Sequence, residues 1–124
     1  MTTLFLVRHG RSTANSAGVL AGRSDEVDLD SAGREQATAV GVRLAGVPLV
    51  RAVVSPILRC RQTADLMLAQ RATPVSQVVE EGLSECDYGS WTGRTLKELA
   101  DEELWQTVQR HPSAAVFPGG EAMT

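Results

Sequence analysis

A chain of 124 residues, 43% of them apolar, has the make-up of one folded domain and is long enough to bury a core without disulfide staples. Its longest apolar runs, near residues 48–54 and 66–69, fall far short of the roughly 18 residues that cross a bilayer, and the start MTTLFLV lacks a basic, cleavable signal pattern; the expectation is a cytoplasmic protein with no membrane partner. The net charge of −3 combines +3 over residues 1–79 with −6 over residues 80–124, and all cations but Lys97 are arginines, which argues against a nucleic-acid partner and for bidentate capture of small oxyanions.

In chain order, Thr3 to Arg8 is short, apolar and bounded by Gly10, which predicts a strand buried on both faces of a parallel sheet. His9 to Asp28 is irregular, with Gly10, Gly18 and Gly22, and a connection this long inside a small domain is usually a functional loop. Asp30 or Ser31 caps a helix to about Leu44, carrying Ala37, Val40 and Leu44 on one face and ended by Gly46-Val47-Pro48. Leu49 to Val54 reads as a second strand. Ser55-Pro56 reads as the entrance to a helix that runs to about Ala69, because the hydroxyl accepts from an unpaired N–H and proline fits a first turn that needs no donor.

Thr73-Pro74 breaks that helix, Val75 to Val79 reads as a third strand, and Glu80 to Gly93 is a second irregular loop. Thr95 and Glu98 have capping-box spacing and open a helix to about Gln109, with Leu96, Leu99, Leu104 and Val108 on its apolar side. His111-Pro112 closes it, and Phe117-Pro118-Gly119-Gly120-Glu121 is a turn. The order implies a three-layer α/β fold, a mostly parallel sheet with flanking helices. Ligands bind such sheets at the carboxyl ends of the strands, which puts Arg8-His9 and Ser55 to Arg59 at one end.

Taken alone, His9 reads first as a half-buried histidine bonded to backbone. Its neighbours favour chemistry: a neutral imidazole with one nitrogen donating to a carbonyl keeps the other free to attack phosphorus. Arg8 and Arg59 would surround the phosphoryl oxygens, with Asn15 and loop N–H groups as further donors. Arg59 also reads as a surface residue of its helix, although it sits in the electropositive first turn. Glu85 is either a solvated loop carboxylate or, in a pocket, the proton donor to a leaving alkoxide, a role that needs a raised pKa. Tyr88 and Trp91 read as wall or packing residues, and His111 as structural or exposed. Cys60 and Cys86 lie in no metal-ligand spacing.

Arg8-His9-Gly10 with Ser12 and Asn15, Gly22-Arg23-Ser24-Asp25, Leu29, Gly33, Gln36 and Ala37, SPILRCRQTA over residues 55–64, LSECDYGSWTG over residues 83–93 and PGGEA, taken together and in this order, resemble the histidine phosphatase superfamily, the phosphoglycerate mutase-like fold. The resemblance implies that His9 is the nucleophile, that Arg8 and Arg59 bind phosphate, that Ser12, Asn15 and Gly22 are further phosphate contacts, and that Glu85 is the general acid and then base. Arg23 and Tyr88 would belong to the substrate pocket. It implies no cofactor and no metal, and a small phosphorylated molecule as substrate.

Three departures stand out. Arg11 occupies a position where many members carry Glu or Gln, and Cys60 replaces a usual alanine. Members also carry a second catalytic histidine in a later Ser-His-Gly-like stretch, whereas the only other histidine here, His111, precedes PGGEA. The expectation is a single histidine phosphatase-like domain over residues 1–124, incomplete at its C-terminus, with an unpaired sheet edge compatible with self-association. The first expectation for function is a phosphomonoester hydrolase. The runner-up is a phosphoglycerate mutase. Mutases resembling this chain follow the Gly93 position with Leu-Asn-Lys, where this chain has Arg94-Thr95-Leu96. A third is a non-catalytic module that binds phosphate ligands.

Overall fold

The structure, a computed structural model, describes residues 1–123. Among these residues five α-helices, α1 (Thr13–Ala17), α2 (Ser31–Leu44), α3 (Leu58–Leu68), α4 (Leu96–Leu99) and α5 (Glu103–Arg110), and three short 3-10 turns accompany two strands, β1 (Ala52–Val54) and β2 (Gln77–Val79). The strands run parallel with Ala52 opposite Gln77 and Val54 opposite Val79, joined by α3 as a crossover. The fold is α/β, a parallel sheet with flanking helices. No helix among the described residues is long and apolar enough to cross a membrane.

Helix α2 begins as expected. The Asp30 carboxylate accepts from the Gly33 amide, and the helix ends at Leu44. Arg71, just beyond α3, donates to the carbonyls of Leu44, the last residue of α2, and of Val47 in the turn that follows, at 2.7 and 2.6 Å, and so fastens the end of α3 to the end of α2. Helix α3 starts at Leu58, later than Ser55-Pro56 suggests. The Ser55 hydroxyl accepts from the Ile57 amide at 3.4 Å, so residues 55–57 form a turn, and the first helical bonds run to the Ile57 carbonyl. Arg59 is thereby carried in the first turn of α3.

The expected helix from Thr95 to Gln109 is two helices. Its capping box is present, with Thr95 and Glu98 each accepting from the other's backbone amide. The break at residues 100–102 has a geometric cause. Leu99 is fully buried, and Leu104, Trp105 and Val108 pack on the same core. In one continuous helix, residues five apart point about 140° away from each other, so Leu104 could not follow Leu99 inward. That core gathers Trp91, Leu99, Ala115 and Phe117, with the rings of Trp91 and Phe117 edge to face at 5.3 Å.

The expected first strand, Thr3 to Arg8, is not formed: it lies in no ladder, and Leu4 and Leu6 are 79% and 88% exposed. An apolar run records a demand for burial, but a strand exists only where its N–H and C=O groups meet those of a neighbour, and β1 pairs with β2 on one edge while its other edge pairs with no segment among the described residues. The loop after His9 is more ordered than its composition suggests. It holds α1, whose Ser12–Asn15 capping box and left-handed Gly18 (φ 66°) define its ends.

Candidate active site

The His9 turn is held from two sides. The Gly10 amide donates to the Thr63 hydroxyl of α3 at 3.1 Å, and that hydroxyl donates to the Arg59 carbonyl at 2.7 Å. On the other side the backbone of residues 10–11 lies directly against α2: a Cβ on Gly10 would fall 2.3 Å from the Gly33 carbonyl oxygen, and one on Gly33 would fall 2.0 Å from that of Arg11. Both positions are glycine because backbone meets backbone there.

His9 Nδ1 lies 2.7 Å from the Gly10 carbonyl oxygen, which can only accept, so Nδ1 carries the proton. The Arg59 Nε–H donates to His9 Nε2 at 3.3 Å, and guanidinium can only donate, so Nε2 presents its lone pair. Arg59 is 3% exposed. Its Nη2 donates to the Gly22 carbonyl at 2.8 Å and lies 3.9 Å from Glu85 Oε2, while its Nη1 is buried and finds no hydrogen-bond partner among the described residues. The surface reading of Arg59 is therefore wrong, and a buried guanidinium N–H without an acceptor is costly unless something anionic meets it.

Glu85 stands across Arg59 with Oε1 accepting from the Tyr88 hydroxyl at 3.0 Å and from the Cys86 amide at 3.2 Å. Burial, and after it the Glu85 charge, pushes the Tyr88 hydroxyl up from its ordinary value, so it stays protonated and keeps donating. Burial likewise pushes the Cys86 thiol up, away from thiolate chemistry. Histidine lone pair, guanidinium and carboxylate thus converge from three segments, around residues 9, 59 and 85. Such a set can accept a tetrahedral oxyanion, present a nitrogen nucleophile to it and place a carboxyl group near its leaving oxygen.

The other expected contacts are distributed differently. Ser12 is fully buried, and its hydroxyl donates to Asn15 Oδ1 and accepts from the Asn15 amide, so it serves the α1 cap. Asn15 commits its carbonyl oxygen to that cap, while its side-chain NH₂ makes no hydrogen bond among the described residues. Gly22 contributes its carbonyl, as the acceptor that steers Arg59. Arg23 is turned to other partners, donating from Nε to the Glu85 carbonyl and from Nη2 to both oxygens of Glu121. Arg8 is exposed, and its side chain makes no ion pair among the described residues. His111 caps the end of α5 and is exposed. Thr63 and Glu121 are the residues that sequence reasoning missed. Glu121 lay within the quoted PGGEA motif, and Thr63 within SPILRCRQTA.

Arg11, the unusual cation after the RHG turn, is tied to Asp30, which also accepts from the Ser16 hydroxyl. The Ser16 hydrogen bond, then the Gly33 amide and the Arg11 charge, hold the Asp30 carboxyl down at about 2, against an ordinary 3.8. Its folded pKa being the lower, the ionised form adds stability that is present above the ordinary value and lost as pH falls toward about 2. Asp30→Asn keeps an acceptor for the cap and removes the charge. The difference in melting temperature between wild type and this variant is expected to be largest above pH 4 and to shrink steadily toward pH 2, as followed by circular dichroism.

Residues 4–124 match the histidine phosphatase superfamily (branch 1). The chain is 36% identical to a 2,3-bisphosphoglycerate-dependent phosphoglycerate mutase of Methylocella silvestris, over 97% of this chain and 60% of that protein. It is 35% identical to the adenosylcobalamin/alpha-ribazole phosphatase of Escherichia coli K12, over 81% of this chain and 48% of that protein. Among solved structures, the alpha-ribazole phosphatase of Shigella flexneri superposes with a TM-score of 0.79 at 29% identity, covering 94% of this chain and 57% of that one. The chain thus spans about half to three-fifths of the length of these relatives. With the family match running over nearly all its residues and the fold shared at that level, the chain belongs to the histidine phosphatase superfamily.

Proposed function

We propose that the protein hydrolyses small phosphomonoesters through a phosphohistidine on His9. The observation that carries this reading is the buried Arg59 guanidinium, whose Nη1 has no hydrogen-bond partner among the described residues and whose Nε meets the lone pair of His9 Nε2. Nε2 attacks phosphorus, and Arg59, joined by Arg8 and the Asn15 side-chain NH₂, takes the charge that builds on the phosphoryl oxygens. Glu85, protonated as the phosphate dianion comes beside it, gives that proton to the leaving alkoxide, then as a carboxylate withdraws one from the water that releases phosphate from nitrogen. The Tyr88 hydroxyl holds the Glu85 carboxylate, and Gly22 holds Arg59.

A mutase reading draws support from the Methylocella relative. Against it, Leu96 stands where mutases resembling this chain place the lysine that binds the substrate carboxylate, and the nearby Arg94 is engaged by Glu102 at 2.7 Å. The test is incubation with 3-phosphoglycerate and a trace of 2,3-bisphosphoglycerate, followed by phosphorus NMR, alongside p-nitrophenyl phosphate. Inorganic phosphate is the expected product. Transfer to the neighbouring hydroxyl would establish the mutase, and silence on both substrates would leave a phosphate-binding module.

A further inference from the structure

The loop that carries Glu85 is fastened to a turn far along the chain, and the fastening ends on Glu85 itself. Arg23 Nη2 donates to both oxygens of Glu121 at 2.9 Å, while its Nε donates to the Glu85 carbonyl at 2.6 Å. Glu121 Oε2 also accepts from the Asp87 amide at 3.2 Å, and the Glu121 amide donates to the Asp87 carbonyl at 2.8 Å. The two segments touch backbone to backbone: a Cβ on Gly120 would lie 2.3 Å from the Asp87 carbonyl oxygen, and one on Gly89 would lie 2.2 Å from that of Pro118. The Phe117 ring of the same turn packs edge-on at 4.9 Å against Tyr88, whose hydroxyl holds the Glu85 carboxylate. Meanwhile Gly22, the residue before Arg23, holds Arg59 through its carbonyl. One dipeptide therefore sets the spacing between the buried guanidinium and the carboxyl group.

We infer that Glu121, acting through Arg23, is a positioning residue for Glu85, and that the turn over residues 117–121 tunes proton delivery to the leaving group. The inference rests on the hydrolase reading. Neither member of the pair touches the reacting atoms. Both side chains are about half exposed, so the ion pair adds little to stability, and a role confined to folding would leave catalysis by the folded enzyme uniform across substrates.

The test compares two esters. p-Nitrophenolate departs without a proton, whereas the alkoxide of β-glycerophosphate needs one, so a misplaced general acid penalises the second substrate alone. Glu121→Gln, which keeps size and removes charge, is expected to lower kcat/KM about tenfold or more on β-glycerophosphate and less than about threefold on p-nitrophenyl phosphate. Arg23→Lys, which keeps the charge but cannot reach both partners, is expected to show the same selectivity and guards against a folding defect in the first variant. Equal losses on the two esters, or none, overturn the inference. A wild type inactive on both overturns the hydrolase reading instead. Amide exchange at Cys86, whose N–H donates to the Glu85 carboxylate and makes no hydrogen bond to Glu121, then decides: faster exchange in Glu121→Gln supports positioning, and unchanged exchange overturns it.

Discussion

Replacing His9 by alanine is expected to bring phosphomonoester hydrolysis to background, a loss on the order of 10⁴-fold or more, because no other group near the phosphate site can form the covalent intermediate. The reasoning rests on one ring. Its Nδ1 proton is spent on the Gly10 carbonyl, which leaves Nε2 as the lone pair beside Arg59. The fold should survive, since the turn is held by the Gly10 amide on Thr63 and by the Gly10 and Gly33 contact, and His9 itself is only half-buried. Brief exposure of the wild type to substrate, quenched without acid to preserve the labile P–N bond, should give an intact-mass increase of one phosphoryl group that maps to His9. The alanine variant should show none. Phosphate on a serine, or an alanine variant that still turns over, would exclude the mechanism.

Arg59→Ala is expected to cost at least about 10²–10³-fold in kcat, about 3–4 kcal/mol of transition-state stabilisation, from the loss of one preorganised charge partner. The actual loss should sit at the high end. The guanidinium is buried and has three tasks, steering His9 Nε2, anchoring on Gly22 and offering Nη1 to an oxyanion. Arg59→Lys should restore little, because a single ammonium cannot span a planar fork of contacts. Steady-state kinetics on p-nitrophenyl phosphate with melting curves for both variants give the measurement. A loss below tenfold in a folded Arg59→Ala enzyme would mean that the guanidinium does not meet the transferring phosphoryl group.

Much of the local structure was legible. Asp30 before Ser31, and Thr95 three residues ahead of Glu98, announce helix starts because a cap is satisfied by neighbours two or three positions away. Ser12 and Asn15 have the same spacing, so their capping role was legible too, and it engages the Asn15 carbonyl oxygen while leaving its side-chain NH₂ uncommitted among the described residues. The single helix over residues 95–109 and the strand over residues 3–8 were misread for a common reason. Both readings treated apolar residues as a property of one segment, whereas Leu99 and Leu104 answer to a shared core, and Leu4 and Leu6 to a partner strand.

His9, Arg59 and Glu85 could be named as candidates from order and residue type alone, because what a side chain can do as nucleophile, cation or acid needs no coordinates. Their arrangement could not. Of eleven arginines, only the folded chain shows that Arg59 is buried against the Gly22 carbonyl, 37 residues away in sequence, and that Arg23 is spent on Glu121, 98 residues away. Caps, turns and breakers are decided within one helical turn of chain, so the sequence by itself determined them, along with the family and the chemical candidates. Which cation is desolvated, and which is drawn to another partner, depends on distances that only the packing of distant segments creates, because charge strength follows burial and burial is a property of the whole fold.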